Sequence, residues 1–156
     1  MNKLLLLFFI ILLAVVHACN PERQEIFYGE EECAHCSMII SNPQYSSQLL
    51  TVKGRHYNFD AIECLSAFIE SGNMKQEEIH SLWVRGFNDE EWVPAEQAHF
   101  LKSHNLVSPM SLNISAYCDR DAAEEYQRSH SGEILAWAEV RDLVRLEWFT
   151  PSIENP

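Results

Sequence analysis

Two thiols, an imidazole and a thioether fall within the six residues Cys33-Ala34-His35-Cys36-Ser37-Met38. Thiolate and thioether are soft donors and imidazole is intermediate, so such a set prefers Cu(I) to hard ions such as Mg²⁺ or Ca²⁺. Zinc sites draw on cysteine and histidine and seldom on a thioether. A methionine two residues after a C-x-x-C pair therefore turns the chemistry toward copper. A second methionine, Met110, follows Pro109 among loop residues rather than in an apolar stripe, and it is the natural answering ligand. Cys33, Cys36, Met38 and Met110 are the candidate ligands of one Cu(I), with His35 between the two cysteines as a further donor.

The same C-x-x-C pair has two other uses: a thiol–disulfide couple, or part of a structural zinc site in an interaction protein. A thioredoxin-like couple opens a helix after a buried strand. Here the pair follows an acidic stretch and precedes a turn cluster, Ser41-Asn42-Pro43. The sequence contains no nucleophile beside a base, no phosphate-cradling glycine loop and no spaced carboxylate pair, which argues against an enzyme.

The elements that must hold these donors begin after a targeting segment. Lys3 supplies a positive start, and Leu4 to Val16 is an unbroken apolar run of thirteen residues, too short to span a bilayer. It ends Val16-His17-Ala18-Cys19, which resembles a lipobox, with Cys19 as the lipidated first residue of the mature chain. Residues 1–18 are expected to be removed. Acyl burial would then hold the chain on the periplasmic side of the cell envelope. Asn20 follows the cysteine in place of the aspartate associated with inner-membrane retention, which points to the outer membrane. Residues 19–32, polar and acidic, are expected to be the lipidated cysteine and a tether. Residues 33–150 would form the metal-binding domain, and 151–156 a frayed tail.

The mature chain of 138 residues (19–156) is long enough for one real core. The formal net charge of the whole 156-residue chain, −12, argues against a nucleic-acid partner, which needs a basic footprint. With Cys19 lipidated, Cys33, Cys36, Cys64 and Cys118 remain in an oxidising compartment, where their three possible full pairings stay open. Cys64 is expected to pack as a small apolar residue inside a helix.

Hydrophobic periodicity predicts strands over 46–53 and 56–59, reversing at Lys53-Gly54-Arg55. A helix follows, capped by Asp60, carrying Ile62, Leu65, Phe68 and Ile69 on one face and stopped by Gly72. Further strands are expected over 81–87, 91–93, 100–102, 111–117 and 133–137. Helices are expected from Asp119 to His130, with Asp119 as cap, and from Val140 to Phe149. Two cycles emerge. A strand ending at Phe59 leads to a helix with Phe68, and a strand ending at Tyr117 leads to a helix with Tyr126. The fold class is α+β, and a pseudo-symmetric packing of the two cycles would bring Met38 and Met110 together.

Cys33/Cys36/Met38, Phe59-Asp60, Trp92-Val93-Pro94-Ala95, Pro109-Met110, Tyr117, Ala122-Ala123 and Gly132 stand in an order that resembles the NosL family, the accessory lipoproteins of nitrous oxide reductase assembly. The likeness runs over about residues 33–140. Ser37 stands where the family usually carries glycine before the motif methionine, and His35 is not general to the pattern. The resemblance implies two ββαβ-like halves in one domain and one bound Cu(I). It also implies delivery to a copper-accepting enzyme or its maturation complex.

Overall fold

The structure, a computed structural model, describes residues 22–150. The leader, Cys19 and the tail lie outside the described residues. Strand β1 (Ser47–Thr51) runs through the middle of a four-stranded antiparallel sheet ordered β2-β1-β3-β4, with β2 (His56–Phe59), β3 (Ile79–Arg85) and β4 (Trp92–Pro94). All five residues of β1 are buried, because both faces of this strand are covered. Gly54, at φ 78°, makes the reversal into β2, a left-handed backbone that glycine adopts without steric cost.

Helix α1 (Ile62–Glu70) packs across one face, and Ile62 to Ile69 are all buried. Gly72, at φ 76°, ends it as expected. Its cap is Ala61, which offers no side-chain oxygen. Asp60 is therefore not the capping residue: it sits one position too early, and its carboxylate turns toward Cys36 instead.

A second antiparallel sheet has the order β6-β5-β7, with β5 (His99–Lys102), β6 (Ile114–Tyr117) and β7 (Glu133–Leu135). Helix α2 (Arg120–His130) lies between β6 and β7 in the chain, and Asp119 caps it by accepting from the Ala122 N–H at 2.8 Å. The chain order β1-β2-α1-β3 and the strand order β2-β1-β3 recur as β5-β6-α2-β7 and β6-β5-β7. Phe59 meets Phe68 at 5.4 Å between ring centroids, and Tyr117 meets Tyr126 at 5.1 Å. Helix α3 (Trp137–Val144) starts three residues earlier than its periodicity predicts, and a π-helical turn, Arg145–Phe149, continues it. Arg141 and Arg145 both grip Glu70 at the end of α1, at 2.6 and 2.9 Å.

Residues 22–32 are not a free tether. Gln24 exchanges hydrogen bonds with the buried Gln48 of β1, its N–H donating at 3.0 Å and its carbonyl accepting at 3.0 Å. Ile26 is buried, and the Glu22 carbonyl meets His56 Nε2 at 2.8 Å. The segment is a strap across the face of the first sheet opposite α1. Its polar composition matches polar partners on that face, which is why it reads as a solvated linker.

Candidate metal centre

The C-x-x-C stretch forms a tight reversal. The Cys33 N–H donates to the Met38 carbonyl at 2.8 Å, and the Ser37 N–H donates to the Cys33 carbonyl at 2.9 Å. Closing so short a loop puts Ser37 at φ 62°, in the left-handed region. The Ala34 N–H donates to the Asn58 carbonyl at 2.9 Å, pinning the loop to the end of β2. From that end the chain turns into α1 through Asp60, and the first turn of the helix presents Cys64.

Three sulfurs and a carboxylate converge there. One donor atom each from Cys33, Cys36, Asp60 and Cys64 lies within 4.8 Å of the other three. Cys33, Asp60 and Cys64 are buried and Cys36 is half-buried. All three cysteines are free thiols. The Cys36 thiol donates to Asp60 Oδ1 at 3.5 Å. With metal–sulfur bonds of about 2.3 Å, sulfurs around one ion stand about 3.8 Å apart, so a small contraction of the group would enclose an ion.

The thiols are not equivalent. The Cys64 thiol donates to Cys33, and the backbone N–H groups of Cys36, Asp60 and His35 add to it; together they outweigh burial and bring Cys33 down to about 7. Burial pushes Cys36 up to about 11, with the neighbouring Cys33 and Asp60 charges adding to it. Cys64 is raised as well, chiefly because its proton is the one held by Cys33. The pocket thus carries one thiolate near neutral pH and two thiols whose protons a metal must displace.

Of the residues expected from sequence, Cys33 and Cys36 come together. His35 is not part of the group: its ring stacks on Trp148 at 6.1 Å between centroids, and burial lowers its pKa against the pull of Asp60. Met38 is 50% exposed beside the loop. Met110 is partly buried against the same apolar core that contains Cys33 and Cys64. The two methionines are not at equivalent points of the two cycles: Met38 precedes β1, and Met110 lies between β5 and β6.

Cys64 and Asp60 are the donors that sequence reasoning assigned elsewhere. Their spacing of four residues at a helix start, after a strand whose far end meets the C-x-x-C loop, was the available signal. Cys118 stands apart, its thiol directed at Asp89 Oδ1 at 3.7 Å.

The Met110 loop is tied to the same helix. Glu63, fully buried beside Cys64, accepts a short hydrogen bond from the Ser108 hydroxyl through Oε1. Its Oε2 has no partner among the described residues. Burial, the largest influence, pushes Glu63 up to about 7.

A family model described as NosL matches residues 26–144. Among solved structures, the copper chaperone NosL from Shewanella denitrificans superposes with a TM-score of 0.65 at 19% identity, over 76% of this chain and 95% of that one. No match is found among the curated proteins compared. At that identity the likeness establishes the fold.

Proposed function

The chain belongs to the NosL family, and on that premise we propose that it binds one Cu(I) and passes it to a copper enzyme on the periplasmic side of the cell envelope. The observation that carries this reading is the convergence of the Cys33, Cys36 and Cys64 sulfurs with Asp60 within 4.8 Å. Three soft sulfurs make a Cu(I) site. Met110, against the same core, and the exposed Met38 are the thioethers that would receive or release the ion. His35 packs against Trp148 and steadies the loop. Cys19 would anchor the chain in the membrane, the outer membrane by its following residue. The maturation complex of nitrous oxide reductase is the client that the family implies.

Exposure sets a direction for exchange. Cys33 and Cys64 are 2% and 0% exposed, whereas Cys36 is half-buried and Met38 is 50% exposed. An acceptor ligand approaches from the Cys36 side, adds to the ion, and displaces Cys36 first. The leaving thiolate takes up a proton because its pKa lies near 11. Binding strengthens as pH rises, since the ion displaces protons from Cys36 and Cys64.

The test is an anaerobic Cu(I) titration of the reduced chain against a chromogenic chelator. One Cu(I) per chain, weakened at least about tenfold in each of Cys33→Ser, Cys36→Ser and Cys64→Ser and unchanged in Cys118→Ser, is the expected result. Unaltered affinity in Cys64→Ser would remove the helix from the site, and no retained copper would overturn the reading. A thiol–disulfide enzyme is disfavoured by the burial of Cys33, since an attacking thiol needs access. A structural zinc site would make folding depend on metal. The domain has an extensive apolar core, built around Leu49, Phe59, Leu65 and Phe100, on which folding can rest instead.

A further inference from the structure

The strap and the sheet face beneath it form a second site, unrelated to the thiols. Register fixes which side chains share that face. Gln48 turns toward the strap, as its hydrogen bonds to Gln24 show, and Trp83 pairs with Gln48 across β1 and β3. Arg85 lies two residues beyond Trp83 and pairs with Trp92, so all three face away from α1.

Arg23 of the strap lays its guanidinium over the Trp92 ring at 4.5 Å, and Arg85 reaches the same ring at 5.5 Å and Tyr28 at 5.9 Å. An open cleft of about 490 Å³ lies between them, bordered also by Glu25 and Glu91. Arg85 is held by Glu90 and the Tyr28 hydroxyl, at 3.4 and 3.1 Å. Arg23 has no carboxylate within ion-pair distance among the described residues, and burial and the charge of Arg85 both lower its pKa.

The strap also fixes where this face can be. Glu22 is bonded to His56 through its carbonyl, and it stands only three residues beyond Cys19. A span of three residues reaches at most about 11 Å. If Cys19 carries the lipid, as the proposed function assumes, this face cannot stand far from the bilayer surface.

We propose that the cleft between Arg23, Arg85 and Trp92 binds the phosphoethanolamine headgroup of a membrane phospholipid, docking the domain with the strap face on the bilayer. The phosphate meets the two guanidinium groups, and its charge relieves their mutual repulsion. The primary ammonium has Glu25 and Glu91 to donate to, a pairing a purely anionic headgroup lacks. Docked this way, the Trp92 ring that walls the cleft sits where indole rings favour the interface. The thiol site, built on the helix side of the sheet, stays in solvent and open to an acceptor.

The test uses the mature lipidated chain in vesicles of phosphatidylethanolamine and phosphatidylcholine that carry a headgroup nitroxide quencher. Flotation reports the anchor, and tryptophan quenching reports docking. Trp92→Phe should remove most of the quenching and Trp148→Phe little of it. Arg23→Gln, at an exposed position with no ion pair among the described residues to lose, should cut quenching about threefold, as should replacing phosphatidylethanolamine with phosphatidylcholine, whose methylated ammonium cannot donate. Arg120→Gln on α2 serves as the neutral control. Flotation with equal quenching of Trp92 and Trp148, or quenching indifferent to Arg23 and to the headgroup, overturns the docking and leaves the anchor and the copper reading standing. A chain that does not float overturns the anchor and the docking together.

Discussion

Ser37 shows the cost of one side chain at a fixed backbone. At φ 62° it occupies a conformation that disfavours every L-residue by about 1 kcal/mol or more and suits glycine. This explains why glycine is the residue usual to the family at that place. Ser37→Gly should leave the loop's two hydrogen bonds intact and raise stability by up to about 1 kcal/mol, part of the gain being returned as unfolded-chain entropy. A urea titration checks it; a loss of stability would mean that the Ser37 side chain has a role the geometry does not show. Glu63 sets a second expectation. Its pKa is raised from 4.5 to about 7. Between those values the folded chain holds a proton that the unfolded chain has released, so stability is full below about pH 4.5 and falls as pH rises through 7. The shift corresponds to about 3 kcal/mol. Glu63→Gln keeps an acceptor for Ser108 and should flatten this fall in the reduced, metal-free chain. Melting temperatures at pH 5 and pH 7.5 decide it, and an unchanged slope in the variant would assign the fall to other groups. At this scale Cys33 and Cys36 were legible because they are neighbours in sequence. Cys64 and Asp60 were not, because their place beside Cys33 exists only once the end of β2 and the first turn of α1 have packed.

The strap is the element whose role composition conceals. Charged and amide residues predict a solvated linker, yet Gln48, a fully buried amide, finds its partners among the described residues in Gln24 and Asn58. A buried polar group that loses its partner costs about 1–3 kcal/mol. Gln48→Ala strands the Gln24 N–H and carbonyl and the Asn58 carboxamide oxygen together. It should destabilise the domain by about 2 kcal/mol and, more tellingly, release the strap. Hydrogen exchange would then show lost protection over residues 24–28 with β3 still protected; uniform loss across the sheet would mean that strap and sheet unfold as one. The regular elements were easier. Period-two and period-3.6 patterns located the strands and helices, and Asp119 marked the start of α2, because each signal lies within its own segment. Asp60 failed as a cap for the same local reason: Ala61 intervenes, and no pattern within the segment reveals that a thiol across the fold will take the carboxylate.

The two ββαβ cycles are joined into one body, and this decides how the chain should unfold. A single backbone bridge, Gly86 to Ala116, links the sheets, and the Phe87 N–H donates to the Ala116 carbonyl at 2.7 Å. A Cβ at Gly86 would fall 2.1 Å from Asp89 Oδ1 and 3.1 Å from Cys118 Sγ, so a larger residue there would have to push the Asp89 carboxylate off the Glu91 N–H. Phe87 leaves the first sheet and packs against Tyr117 at 6.1 Å and Tyr126 at 5.6 Å in the second cycle, and Tyr45 of the first cycle joins it at 5.4 Å. The main core is likewise shared, with Leu49, Phe59 and Leu65 from one cycle and Phe100, Ile114 and Leu135 from the other in one cluster. Halves that bury so much of each other cannot keep their apolar faces covered alone, so neither should survive the loss of its partner. Urea unfolding of the reduced chain is expected in one transition, coincident by far-UV circular dichroism and by tryptophan fluorescence, although Trp83 and Trp92 report on the first sheet and Trp137 on the second. Phe87→Ala should lower the unfolding free energy by about 3 kcal/mol, and the midpoint with it, without splitting the curve. Two separated transitions would make the repeat a pair of independent domains. In that case the group of Cys33, Cys36, Asp60 and Cys64, all from the first cycle or the segment before it, could open and close without disturbing the second.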